Sequence, residues 1–117
     1  MTTSELAKDF TELLKQNDHE GAAEKYNADN IVSYETPNTP MAVCEGKEAV
    51  KQKGAWWQAN HEIHGSSVEG PFINGDQFAV RFKFDLTPKA TGERVVMDEV
   101  GVYTVKDGKI IEERFYY

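Results

Sequence analysis

The chain has 117 residues, of which 39% are hydrophobic and 28% charged, with a formal net charge of −7. This length fits one domain, residues 1–117, with a single core. The acidic balance argues against a nucleic-acid partner, because the chain has no surplus of basic residues to neutralise phosphates.

Cys44 is the only cysteine, so neither an internal disulfide nor a cysteine-based zinc site can form. The first residues lack the basic start and apolar stretch of a signal peptide. No apolar run approaches the ~20 residues that span a bilayer. We therefore expect a cytoplasmic protein with no membrane partner.

Two short helices are predicted at the start of the chain. Thr2 and Glu5 have the spacing of a capping box, and apolar residues from Leu6 to Leu14 follow at helical intervals. Asp18 can cap a second helix over residues 19–26. Together they form a helical hairpin with one shared apolar side.

A short strand and a third helix are predicted next. The strand covers residues 31–36 and must end before Pro37 and Pro40, because two prolines exclude both a helix and a central strand. The helix follows Gly46 over residues 47–60. Gly54 weakens it by about 1 kcal/mol relative to alanine.

The rest of the chain has the pattern of strands. Residues 78–86 alternate between apolar and polar side chains, and residues 95–106 form a second long strand. Asn74-Gly75 and Asp107-Gly108 are typical two-residue hairpin turns. Three helices followed by an antiparallel meander predict an α+β fold with the helices on one face of a curved sheet.

Three segments carry a resemblance to a known family: residues 25–32 (KYNADNIV), 45–50 (EGKEAV) and 102–111 (VYTVKDGKII). In this order and spacing they resemble the nuclear transport factor 2-like superfamily, particularly its SnoaL-like branch. The resemblance implies a cone-shaped roll of helices and curved antiparallel sheet around a deep pocket, and an outer sheet face that makes a homodimer. The superfamily includes isomerases, cyclases, epoxide hydrolases, dehydratases and non-catalytic binding or assembly domains.

Matching the strands to the ketosteroid isomerase branch sorts their side chains between the pocket and the outside. A one-residue slip or a bulge would invert any of these sets. The residues predicted to face inward are His64, Ser66, Val68, Phe82, Phe84, Met97, Glu99, Gly101, Tyr103, Glu113, Phe115 and Tyr117. The residues predicted for the outer, dimer-forming face are Arg81, Val100, Val102, Ile110, Glu112, Arg114 and Tyr116.

Glu35 is the first candidate for catalysis. It ends the first predicted strand just before Pro37, at the position that resembles the general-base aspartate of ketosteroid isomerases. A carboxylate at the mouth of an apolar pocket is suited to accept a proton next to a carbonyl group. The alternative is a solvated loop carboxylate, since the chain has twenty acidic residues to place.

The oxyanion donors of ketosteroid isomerases are missing here. Their helix-one tyrosine and penultimate-strand acid match Phe10 and Gly101, whose side chains cannot donate a hydrogen bond. Steroid isomerisation is therefore not expected. His64, Tyr103 or a protonated Glu99 can supply a donor instead, although a lone inward histidine also serves as a hydrogen-bonded structural residue.

The remaining candidates have structural alternatives. Glu99 and Glu113 lie on adjacent strands, where repulsion between the two carboxylates can raise the pKa of one of them and make it a proton donor. Alternatively, Arg81 or Arg114 can pair with one of them. The aromatic side chains can line a cavity or fill a core. Candidate ligand contacts are Phe10, Tyr26, Trp57, Ser66, Phe82, Phe84, Glu99, Glu113 and Tyr117.

Two functions remain open from the sequence. The first is a small-molecule enzyme that runs acid–base chemistry on a hydrophobic carbonyl compound, without metal or organic cofactor. Glu35 would be its base, and His64 or Tyr103 would stabilise the oxyanion. The second is a non-catalytic ligand-binding or dimeric assembly domain.

Overall fold

The computed structural model describes residues 1–117 as three helices and six strands. None of the helices has the length and apolar character needed to cross a bilayer. The helices are α1 (Thr3–Lys15), α2 (His19–Tyr26) and α3 (Lys47–Asn60). The strands are β1 (Asn27–Tyr34), β2 (Val43–Glu45), β3 (His61–Asn74), β4 (Gln77–Pro88), β5 (Val95–Lys106) and β6 (Lys109–Tyr116).

The predicted helix starts are confirmed. The Thr2 hydroxyl accepts a hydrogen bond from the Glu5 amide at 3.1 Å, and the Glu5 carboxylate accepts one from the Thr2 amide at 3.0 Å. This reciprocal pair satisfies two amides that the first turn of α1 leaves free. The Asp18 carboxylate caps α2 in the same way, through the Gly21 amide at 2.9 Å.

The sheet has the strand order β2-β1-β6-β5-β4-β3, and one pair departs from the predicted antiparallel arrangement. β1 and β6 run parallel, whereas every other neighbouring pair is antiparallel. The reason is topological: α3 carries the chain from β2 to the far edge, and the four-stranded meander returns to meet β1 in the same direction. The α+β class is confirmed, with a mixed sheet.

Two strands are longer than predicted and one was missed. β1 begins at Asn27, directly after α2, and β3 continues through Pro71 to Asn74. Proline is tolerated there because β3 is an edge strand and its register shifts between Glu69 and Phe72. The three-residue β2 is too short to show a period in the sequence.

The core lies between the helices and the inner sheet face. β4 buries every second residue, from Phe78 to Leu86, under Leu6 and Phe10 of α1. Burying these apolar surfaces is the main source of folding free energy. The same face of the sheet, farther along the strands, carries the polar groups described below.

Ile110 was assigned to the wrong face. It is fully buried, although the strict alternation placed it outside. Thr104 pairs with Glu112 and Val105 with Ile110, so Ile111 is an extra residue in β6. This bulge turns Ile110 and Glu113 to the same inner face.

A substitution at Gly54 tests whether this position of α3 is helical with open space beside it. A Cβ built at Gly54 meets no atom within 4 Å, so Gly54→Ala should stabilise the protein by about 1 kcal/mol through helix propensity. Urea unfolding measures the change. The matched control is Gly75→Ala in the β3–β4 turn, where a φ of 63° makes alanine unfavourable and should cost about 1 kcal/mol. Destabilisation by Gly54→Ala would contradict the open space at this position.

Candidate functional site

A cavity of about 890 Å³ lies between the inner sheet face and all three helices. This volume is in the range of small-molecule pockets. Half of its wall is apolar, with 14 hydrophobic residues among 29. The predicted site residues that line it are Phe10, Glu35, Trp57, His64, Ser66, Phe82, Phe84, Glu99, Tyr103, Glu113 and Tyr117.

Tyr26 is the predicted contact that does not reach the cavity. Its side chain is buried against α1, where its ring meets Phe10 edge-on at 6.4 Å between centroids. Its hydroxyl donates to the carboxylate of Asp9, which also pairs with Lys25. Tyr26 therefore locks α2 to α1, because the last turn of α2 faces α1 rather than the pocket.

Three polar side chains from separate parts of the fold meet around the ammonium group of a fourth, Lys53. Lys53 of α3 lies 3.1 Å from Glu35 Oε1 and 3.9 Å from Glu113 Oε2, and it donates to the hydroxyl of Ser33. Ser33 in turn donates to Glu113 Oε2 at 2.7 Å. We call Lys53, Ser33, Glu35 and Glu113 the lysine cluster. Lys53 is the only lysine or arginine in the cavity wall.

The lysine cluster was missed in the sequence. Val50, Lys53, Gly54 and Trp57 all line the cavity and have the spacing of one helix face. A lysine inside an otherwise apolar stripe is the signal that could have identified it. The cost of burying an ammonium group is high unless carboxylates surround it, so a buried Lys53 predicts acidic partners.

The arginines proposed as partners of Glu99 and Glu113 lie elsewhere. Arg81 makes a two-pronged ion pair with Asp98 at 2.7 and 3.0 Å, and Arg114 pairs with Glu112 at 3.0 Å. These charges alternate with the inward residues and therefore belong to the outer face of the sheet. The pocket carboxylates have Lys53 as their cation.

Burial raises the pKa of Glu113, while Lys53 and the Ser33 hydrogen bond oppose the shift. Glu99 lies on β5 in the same wall and is not hydrogen-bonded to Lys53 or Ser33. Burial first, and then repulsion from Glu35, raises the pKa of Glu99 to about 7. Glu99 is therefore close to half-protonated at neutral pH, when a group can both take and give a proton.

Tyr103 fills the space that Gly101 leaves open. A Cβ at Gly101 would lie 2.9 Å from the Tyr103 hydroxyl, so any other residue there would displace the ring. Phe10 and Phe78 hold the ring, at 5.0 and 4.9 Å between centroids. Burial raises the pKa of Tyr103 well above its usual value. Its hydroxyl thus stays protonated and available as a donor beside the carboxylates.

His64 lies at the exposed rim of the cavity. Ile63 pairs with Leu86 and Gly65 with Asp85, so His64 is the extra residue of a bulge in β3. Its Nε2 is 2.7 Å from the Thr87 hydroxyl. This contact holds the ring at the cavity edge, by the edge strand β3. The lysine cluster lies farther across the same face of the sheet, at β1 and β6.

Trp57 and two polar residues complete the cavity wall. Trp57 stacks on His61 at 4.5 Å and packs on Phe84 at 5.2 Å, closing one side of the cavity. Ser66 donates to Asn17 at 3.3 Å. His19 also lines the cavity, and burial lowers the pKa of its imidazole. The α2 start faces the sheet because Asn17, in a left-handed conformation, turns the chain there.

No group of three or more His, Cys, Asp or Glu side chains is arranged to hold a metal ion. The groups central to the site are its three carboxylic acids, the Lys53 ammonium and the Tyr103 phenol. It can bind a partly apolar molecule, donate a hydrogen bond from Tyr103, and exchange a proton at Glu99.

Comparison with known proteins gives a consistent picture. A family model described as SnoaL-like domain matches residues 1–117. The chain is 75% identical to a Mesorhizobium loti protein that is provisionally named both a SnoaL-like polyketide cyclase and a carbohydrate phosphatase. The two chains align over their full lengths, with a TM-score of 0.98. No curated protein matches the chain.

More distant solved structures share the fold. A Xanthomonas campestris protein of unknown function with a cystatin-like fold is 18% identical, with a TM-score of 0.79 over 99% of this chain and 90% of that one. A Jannaschia protein provisionally named a SnoaL-like polyketide cyclase is 20% identical, with a TM-score of 0.69 over 95% and 86%.

The raised pKa of Glu99 predicts a pH-dependent loss of stability. Its value of about 7, against 4.5 ordinarily, means that the folded protein holds the proton more tightly than the unfolded chain. The free energy of unfolding should thus decrease as the pH rises from 4.5 to 7, and Glu99 should contribute up to about 3 kcal/mol of this decrease.

Glu99→Gln should remove that part of the loss. Urea unfolding at pH 5 and pH 8 measures it, with Glu62→Gln at an exposed glutamate of β3 as the matched control. An equal pH dependence in Glu99→Gln and the wild type would show that Glu99 is not perturbed.

Proposed function

Because the chain belongs to the SnoaL-like domain family, we propose that its pocket binds a small hydrophobic carbonyl compound and moves a proton on it, with no metal or organic cofactor. The observation that carries this proposal is Glu99. It is an acid with a pKa of about 7 that faces a cavity of about 890 Å³ and is not tied to the lysine cluster.

The proposed step is an enolisation. Ionised Glu99 removes a proton from the carbon next to the carbonyl, the C–H electron pair moves into a C=C bond, and the carbonyl oxygen becomes an enolate. Tyr103 donates a hydrogen bond to that oxygen and keeps its own proton. If a C=C bond of the ligand is conjugated with the enolate, return of the proton from Glu99 to the far carbon re-forms the carbonyl and completes an isomerisation. Alternatively, the enolate carbon attacks a second carbonyl of the ligand, the π electrons of that carbonyl move to its oxygen, and Glu99 returns its proton to the resulting alkoxide, which closes a ring.

Glu35 has a supporting role in this proposal. The Lys53 ammonium donates to its Oε1 at 3.1 Å, so this oxygen already has a partner in the protein. Glu99 has no such partner and is the carboxylate open to the ligand. The charge of Glu35 also repels the ionised form of Glu99 and so helps to keep the pKa of Glu99 near neutrality.

The experiment compares two isosteric variants on any carbonyl compound that the protein turns over. Glu99→Gln should lower kcat by about 100-fold or more, because the amide cannot take the proton. The wild-type kcat/KM should rise with pH and level off above pH 7. Glu35→Gln should retain turnover. The rise of its kcat/KM with pH should occur at lower pH than in the wild type, because a repelling charge near Glu99 is lost.

Each opposite outcome has a definite meaning. Loss of turnover in Glu35→Gln with full turnover in Glu99→Gln would make Glu35 the proton acceptor, as the sequence position suggested. Undiminished turnover in both variants would contradict proton transfer by these acids. Tight ligand binding without turnover would support the alternative of a non-catalytic binding domain, which the missing donors at Phe10 and Gly101 favour.

We also propose that two copies of the chain pair through the outer face of the sheet. Val96 and Tyr116 are 72% and 54% exposed there, and Val100 and Val102 are half-buried beside them. Exposed apolar side chains grouped on one face are typical of an interface. The nearby ion pair between Arg81 and Asp98 satisfies its own charges.

The oligomeric state tests this pairing. Analytical ultracentrifugation at roughly tens of micromolar should give the mass of a dimer. Val102→Asp should give a monomer with unchanged circular dichroism, because it adds a charge to the outer face and leaves the core intact. A wild-type monomer under these conditions would contradict the proposal.

A further inference from the structure

Asn27 is a buried polar residue whose side-chain oxygen has no partner in the protein. It is the first residue of β1, it is 3% exposed, and it lines the main cavity. Its Oδ1 is one of two buried side-chain atoms without a hydrogen bond, the other being Thr11 Oγ1, which lies outside the cavity wall. Buried polar groups are nearly always paired, so an unpaired acceptor at a cavity points to a ligand.

The cavity extends past Asn27 into the gap between α2 and α3. A side cavity of about 160 Å³ lies there. The two cavities share His19, Asn27 and Gly54 in their walls. A Cβ at Gly54 would meet no atom within 4 Å, so the space directly beside Gly54 is open. A ligand longer than the space around Glu99 can therefore reach Asn27.

The chemistry at this end suits a hydroxyl group. The carboxamide of Asn27 can accept a hydrogen bond through Oδ1 and donate one through Nδ2. The imidazole of His19 faces the same space, and burial lowers its pKa, so it is neutral at neutral pH and offers one donor and one acceptor. A hydroxyl is the small group that both donates and accepts.

The two polar ends of the pocket are separated along β6. Asn27 pairs with Ile110, whereas Glu113 pairs with Ser33 on one side and with Tyr103 on the other. The partners of Ile110 and Glu113 on β5 are Val105 and Tyr103, which are two residues apart, so the separation is about 7 Å. The cavity wall also contains apolar side chains, including Phe10 and Val50.

We propose that Asn27 forms a second polar subsite, which selects ligands with a hydroxyl group about 7 Å from the carbonyl held near Tyr103. This deepens the proposed function and rests on it for the carbonyl end alone. The hydroxyl stays bonded to its carbon and takes no part in the proton transfer. Asn27 and His19 fix the orientation of the ligand and thereby decide which carbon faces Glu99.

The experiment compares two fluorescent probes that differ by one hydroxyl group, 6-acetyl-2-naphthol and 2-acetylnaphthalene. Equilibrium titration of the wild type should give at least about tenfold tighter binding of the hydroxylated probe. Asn27→Leu, which keeps the volume and removes the polar atoms, should give equal affinities for the two probes. Asn27→Ala is the second variant, for use if the leucine variant does not fold.

Thr11→Val is the matched control, because it removes the other unpaired buried polar atom and should keep the tenfold preference. The proposal is overturned if the wild type shows no preference, if neither probe binds at about 1 mM, or if Asn27→Leu keeps the preference. The same titration on Glu99→Gln separates the two proposals: the preference persists there whether or not Glu99 transfers a proton.

Discussion

The charge of Lys53 is the constraint on which the pocket depends. Its ammonium ties α3 to β1 and β6 through Ser33, Glu35 and Glu113. Removing one member of such a buried set typically costs about 3–5 kcal/mol, because the others lose their compensation. Glu99 lies in the same wall without an ion pair to Lys53, and burial first, then repulsion from Glu35, raises its pKa. The charge of Lys53 opposes this shift and offsets only part of it.

A second constraint is the use of space on β5. Gly101 has no side chain, and the Tyr103 ring occupies the space that a side chain there would need. The phenol at the neighbouring inward position thereby brings a hydrogen-bond donor to this region of the pocket. An acid at position 101 and the Tyr103 ring in its present place would exclude each other.

The sequence was most informative where the pattern was local. The capping box at Thr2, the alternation in β4 and the Asp107-Gly108 turn each depend on neighbouring residues, and the structure has them as predicted. The other hairpin turn is Gly75-Asp76, one residue later than the predicted Asn74-Gly75, because Asn74 pairs with Gln77. The lysine cluster depends on contacts between residues up to 80 positions apart, as between Ser33 and Glu113, and no short pattern encodes such a contact. Alternation failed at Ile110, because a bulge shifts the period by one and leaves no clear mark in composition.

The bulge at Ile111 separates the length of β6 from the polarity of the pocket. On its carboxyl side, Glu113 and Phe115 face the cavity, while Glu112 and Arg114 face outward. Losing Ile111, with the turn kept in place, would remove the bulge, and Glu112 would still pair with Thr104 and Glu113 with Tyr103. The acids would therefore stay in the chamber after a single-codon deletion at this position. A one-residue change in length anywhere else in this half of β6 has no such buffer, because it would turn Arg114 inward in place of Glu113.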